Sequence, residues 1–76
     1  MKVSYDEEAD ALYIKLRDGD YDESDEVQDG IILDYDGGGN LLAIEILNAS
    51  SRFTLQDLTN VSFELQSTRK VEEVKE

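Results

Sequence analysis

Residues 30–48, GIILDYDGGGNLLAIEILN, leave a chain of this kind few ways to fold. Two apolar runs, 31–36 and 41–47, flank Gly37, Gly38, Gly39 and Asn40, which supply the positive-φ tolerance a tight reversal requires. The spacing predicts a β-hairpin. Strands alternate faces, so a slip of one residue would turn every apolar group to the wrong side. Pairing Asp36 with Leu41 sets Tyr35 against Leu42, Leu33 against Ile44 and Ile31 against Ile46, all six apolar. A loop with an even number of residues keeps this parity and an odd one destroys it. The other face reads Ile32, Asp34, Asp36, Leu41, Ala43, Glu45 and Leu47, a mixture suited to partial cover by another segment or a second subunit.

The flanking segments read as additions to that hairpin. Lys2, Val3, Ser4 and Tyr5 alternate as a short strand with Val3 and Tyr5 inward, and the acidic run 6–10 makes a single turn. Residues 11–17 read as a strand with Leu12, Ile14 and Leu16 on one side and Tyr13, Lys15 and Arg17 on the other. A turn follows over 18–22 and a further strand over 23–28; Asp29-Gly30 is either a tight turn or a bulge. After a polar break at 48–51, residues 53–60 read as a helix with Thr54 as N-cap and Asp57 in the capping-box position. Val61, Phe63 and Leu65 alternate with Ser62, Glu64 and Gln66 as a half-buried strand, and 67–76 form a charged, flexible tail.

Composition narrows the chemistry. Seventy-six residues make one small domain, here 1–66 plus the tail. The chain has no cysteine and no histidine, which removes disulfides, thiolate or imidazole metal sites and the Ser-His-Asp and Cys-His triads. The sequence shows no 18-residue apolar run and no secretory signal, so a cytoplasmic location is expected. A formal net charge of −12 opposes binding to nucleic acid or anionic lipid, because both depend on basic side chains. Nine carboxylates and no base fall within 18–36: Asp18, Asp20, Asp22, Glu23, Asp25, Glu26, Asp29, Asp34 and Asp36. Such a run is either a solvated face or a docking surface for a basic partner.

The strings SYDEEADALYIKL at 4–16 and EVQDGIILDYDGGGNLLAIEILNAS at 26–50 resemble a widespread prokaryotic family of very small proteins catalogued as a domain of unknown function. Its pattern is YD-x-EADALYI-x-L followed by E-x-x-DGIIIDYD-x-x-GN-x-x-GIEIL-x-AS, and the likeness spans about two-thirds of the chain. Leu33 stands in place of a β-branched residue and Ala43 where the family often has glycine. The resemblance implies a small β-rich domain with a helical C-terminal part. It carries over no catalytic residue, and it associates members with small toxin-like proteins encoded beside them.

Four constellations bear on chemistry. Asp18-x-Asp20-x-Asp22 opens like a calcium loop, but Glu23 stands where the sharp-turn glycine belongs and Asp29 where the bidentate glutamate belongs. Asp34, Asp36 and Glu45 share the mixed face of the hairpin, where paired carboxylates can do acid–base work or hold a divalent cation, yet no basic residue is expected nearby to complete such a site. The glycine run lacks the following helix and the Lys of a phosphate cradle, and Tyr5, Tyr13, Tyr21 and Tyr35 lack the basic groove of a base-stacking set.

The expected architecture is α+β and mostly β: a small antiparallel meander sheet of four to six strands with one short C-terminal helix. That helix or a second copy of the chain covers Ile31, Leu33, Tyr35, Leu42, Ile44 and Ile46. The expected function is a non-enzymatic interaction module that masks a basic protein partner as an antitoxin does, with a homodimer as its working form. Its candidate surface is Asp18, Asp20, Asp22, Glu23, Asp25, Glu26, Asp34, Asp36 and Glu45, with no catalytic residue, metal or cofactor assigned. The alternatives are a metal-dependent or acid–base enzyme built on Asp34, Asp36 and Glu45, and a regulatory domain that holds a small ligand between sheet and helix.

Overall fold

The structure, a computed structural model, describes residues 1–67; the expected tail, Ser67 apart, lies outside the described residues. Five strands, β1 (Lys2–Asp6), β2 (Ala11–Lys15), β3 (Tyr21–Gln28), β4 (Ile31–Asp36) and β5 (Leu41–Leu47), precede two short helices, α1 (Ala49–Arg52) and α2 (Leu55–Thr59). All pairings are antiparallel and the order is β1-β2-β5-β4-β3. Thus β3, β4 and β5 run as the expected meander, and the β1–β2 hairpin lies along the far side of β5.

Each reversal has a local cause. Asp6 Oδ1 accepts the backbone N–H groups of Glu8 (3.0 Å) and Ala9 (3.2 Å), and Asp10 takes a left-handed φ of 54° to enter β2. Asp29-Gly30 is a tight turn rather than a bulge, with Gln28 paired to Ile31 and Gly30 at φ 80°; the bulge sits just before it, at Val27. Between β4 and β5, Asp36 Oδ1 accepts the N–H groups of Gly38 (2.9 Å) and Asn40 (2.8 Å), and Gly39 takes φ 82°. The capping box is present: Thr54 Oγ1 accepts the N–H of Asp57 and Asp57 Oδ2 accepts that of Thr54, both at 3.1 Å.

The central register holds for Ile31 with Ile46 and Leu33 with Ile44, then departs from expectation: Tyr35 pairs with Leu41, and Leu42 is an extra residue on β5. The bulge turns the Leu42 carbonyl toward the chain leaving β2, where it accepts the N–H groups of Leu16 (2.7 Å) and Arg17 (3.3 Å). Its side chain is buried on the mixed face, in contact range of Gly19, so Leu42 does not join the Ile31, Leu33 and Ile44 side.

One face of the sheet is therefore apolar across four strands, with Val3 and Tyr5 on β1, Leu12 and Ile14 on β2, Ile44 and Ile46 on β5, and Ile31, Leu33 and Tyr35 on β4. The helical region covers it in part. Phe53, Leu58 and Val61 face Val3, Leu12 and Ile14 across an apolar groove of about 530 Å³. No large side chain is fully buried among the described residues, and the apolar residues of β4 and β5 on this face remain half-exposed.

Two segments depart from expectation. The polar break at 48–51 contains a helical turn, α1, because Asn48 adopts a left-handed conformation (φ 54°) that folds the chain back over the sheet end. The segment 61–66 is not a strand: it takes no place in the sheet and every residue in it is exposed. Alternation makes a segment suited to pairing, but a strand exists only where another edge supplies the hydrogen bonds. Among the described residues no helix is long and apolar enough to cross a membrane.

Candidate functional site

The mixed face of the sheet carries the chemistry. β2 pairs with β5 so that Tyr13 lies opposite Glu45 and Lys15 opposite Ala43, while β3 pairs with β4 so that Ser24 lies opposite Asp34. Glu45 stands opposite Ile32 and Asp34 opposite Ala43, which makes the two carboxyl groups diagonal neighbours across β4 and β5. Asp34 is 4% exposed. Tyr13, Lys15, Arg17, Tyr21, Asp34 and Glu45 line a concavity of about 380 Å³ on this face.

A hydrogen-bond chain runs into that concavity. Ser24 Oγ donates to Asp34 Oδ1 at 2.6 Å, so its single proton is committed and the 2.7 Å contact with Tyr21 must have the tyrosine hydroxyl as donor. Glu45 closes the chain. Its hydrogen bond to Asp34, followed by burial and the nearby Asp34 charge, pushes its pKa up to about 7. Near neutral pH Glu45 is therefore partly protonated, and in that form it can donate to Asp34.

The structure divides the sequence-predicted acidic set. Asp34 and Glu45 meet, but Asp36 does not join them: its carboxylate caps the β4–β5 turn, and the N–H and side-chain amide of Asn40, then the Gly38 N–H and the charge of Arg17, hold its pKa below the usual range. The expectation that no basic residue stands nearby is overturned, because Lys15 and Arg17 share the concavity with the pair. Their alternation with Tyr13 was visible in the sequence; what was not visible is that β2 lies beside β5. Asp18 pairs with Lys15 at 2.6 Å, and that bond lowers the pKa of Asp18 and raises that of Lys15. Asp20 is exposed in the loop before β3.

The remaining carboxylates form a second feature. β3 is an edge strand, exposed at all eight positions, with Asp22, Glu23, Asp25 and Glu26 along it. Glu23 and Asp25 pair with Tyr35 and Leu33, so they border the half-covered apolar face, whereas Glu26 accepts the N–H of Gly30 at 2.9 Å. Among the described residues no three His, Cys, Asp or Glu side chains converge as metal ligands.

The long-range roles of Asp10, Ser50 and Arg52 were not legible in the sequence. Asp10 accepts hydrogen bonds from the Tyr5 hydroxyl (2.7 Å), the Ser50 N–H (2.9 Å) and Ser50 Oγ (2.8 Å). Arg52 donates to the carbonyl oxygens of Asp29 (2.6 Å) and Leu47 (3.0 Å). Short polar side chains at turns signal local capping, and nothing in their spacing announces partners 40 residues away.

No solved structure matches the chain. A protein of Methanosarcina mazei that carries the provisional name hypoxanthine phosphoribosyltransferase is 41% identical over 64 residues, which cover 82% of this chain and 51% of that protein. The chain thus spans about half the length of the curated relative it matches. A family model described as a protein of unknown function, DUF2283, matches residues 2–50, from the start of β1 to the Ser50 that Asp10 holds. With the matched region taking in the whole sheet and the contact that ties its ends, the chain belongs to the DUF2283 family.

Proposed function

We propose that the chain is a non-enzymatic protein-interaction module, an acidic domain that binds and masks a basic protein as an antitoxin does. The observation that carries this reading is β3: a fully exposed edge strand with four carboxylates along it, bordering a sheet face left partly uncovered. A free edge offers backbone hydrogen bonds to an added strand, carboxylates select a basic one, and the apolar face beside it supplies contact area. The test is capture from a native lysate with the wild-type chain and with a variant carrying D22N, E23Q, D25N and E26Q. One basic protein held at low salt, released at high salt and lost with the variant is the expected result. Retention that is indifferent to the four substitutions overturns it.

A second reading rests on the Asp34–Glu45 pair. A carboxylic acid beside a carboxylate is the equipment of general acid–base catalysis, and Lys15 and Arg17 on the same wall suit an anionic substrate such as the phosphoribosyl group in the relative's name. Turnover of a phosphoribosyl compound by the full chain, abolished by E45Q, is the result that would establish it.

A further inference from the structure

The sheet has two outer edges, and they differ. The β3 edge is acidic and carries two register shifts, around Asp22 and Val27. The β1 edge is regular through all five of its pairs with β2, has Lys2 at its start, and points Val3 and Tyr5 to the apolar face. Beside it lies the segment 61–66, in which Val61, Phe63 and Leu65 are 62%, 82% and 64% exposed and alternate with polar residues. Val61 shares the apolar groove with Val3, whereas residues 62–66 are exposed and do not line it. Among the described residues, a single chain therefore carries a strand-patterned segment without an edge and a regular edge without a strand.

We propose that these two deficits answer each other between two copies of the chain: 61–66 of one copy adds to β1 of the other, reciprocally, and sets Phe63 and Leu65 over the groove of the receiving copy. Period-two alternation puts all three apolar side chains on one side of the added strand, the side on which Val3 and Tyr5 already stand. Reciprocal exchange about a two-fold axis closes the assembly at two copies, whereas one-way addition would run on into a fibre. Charge selects the edge. Glu64 is the only ionisable residue in the segment; it would meet four carboxylates along β3, but on β1 it meets Lys2 at one end and Asp6 at the other. The rest of each chain is strongly acidic, so the two copies repel at long range and added salt strengthens the dimer. The proposal is independent of the basic partner, whose binding salt weakens.

Sedimentation of the full chain across a dilution series reaching about 100 µM, at low and high salt, is the first test. The expected result is a monomer–dimer equilibrium that tightens with salt. Phe63→Asp, at a position outside the sheet, weakens the dimer by about 10- to 100-fold while the circular dichroism of the sheet is unchanged. The absence of cysteine permits a second readout: a Ser4→Cys chain mixed with a Ser62→Cys chain forms the mixed disulfide in preference to either homodisulfide. A monomer at every concentration overturns the proposal, whether 61–66 exchanges its amides freely or folds back on its own β1. A dimer that survives Phe63→Asp, or that gives no mixed disulfide, overturns it as well.

Discussion

The carboxylate of Asp10 takes both the backbone N–H and the hydroxyl of Ser50, at 2.9 and 2.8 Å, and so ties the β1–β2 turn to the first turn of α1 across 40 residues of sequence. The Asp10 carbonyl accepts the Ala49 N–H beside them at 3.0 Å. Asn48 has no side-chain capping bond to offer α1, so a distant aspartate does the capping. The contact also places Ala49, which is fully buried, against the sheet end.

Ser50→Ala removes the hydroxyl half of this contact. It lowers the thermal midpoint by roughly 4–8 °C, the effect of one hydrogen bond in a domain of this size. The pKa of Asp10 is held low by its bonds to Tyr5 and Ser50, so its stabilisation is present above the usual carboxylate range and is lost as pH falls through the lowered value. In the variant that loss begins at higher pH, which a carbon-detected NMR titration of Asp10 reads directly.

Glu45 has the opposite sign. Its folded pKa is raised to about 7 from an ordinary 4.5, so its contribution is complete below the lower value and is lost as pH rises through the upper one. Urea unfolding of the wild type at pH 5 and pH 8 shows a fall in stability of about 1–2 kcal/mol, less than the full shift implies because water reaches the pair. Glu45→Gln keeps a donor toward Asp34 and flattens that dependence.

The glycines of the β4–β5 turn separate by substitution. Gly39→Ala costs about 1 kcal/mol, because φ 82° is strained for any residue with a Cβ even though the space around it is open. Gly37→Ala meets no atom within 4 Å and has no left-handed φ, so it is neutral or stabilising by about 0.4–1 kcal/mol. Equilibrium unfolding of the two variants side by side checks both.

Arg52→Ala releases the carbonyl oxygens of Asp29 and Leu47 together, and so loosens the β3–β4 turn and the end of β5. The cost is about 1–2 kcal/mol in chemical unfolding, and amide exchange rises first at Gly30 and Leu47, whose mutual bond (2.8 Å) Arg52 brackets. Lysine at this position recovers less than half, because one ammonium cannot span both acceptors in the geometry of a guanidinium.

Most of the fold was written locally. Period-two alternation placed β1, β2, β4 and β5 within a few residues of their final bounds, whereas β3, with Val27 as the one apolar residue in 23–28, lacks that signal and begins at Tyr21, inside the expected turn. Turn chemistry located the other reversals, and the capping box of α2 was readable from Thr54 and Asp57 alone. The candidate site was half legible: the shared face of Asp34 and Glu45 followed from parity, and the exclusion of Asp36 did not, because its role in the turn competes with a role on the face.

What the sequence by itself determined is which residues can form strands, where the chain reverses and which side of each strand is apolar, since all three depend on neighbours within a few positions. Only the tertiary structure decided which strands lie side by side. Placing β2 against β5 brought Lys15 and Arg17 to the carboxyl pair, gave the carbonyl of the bulged Leu42 its two donors and joined Asp10 to Ser50. It also left 61–66 without an edge. Alternation is a property of a segment, whereas pairing is a property of two, and the second cannot be read from either one alone.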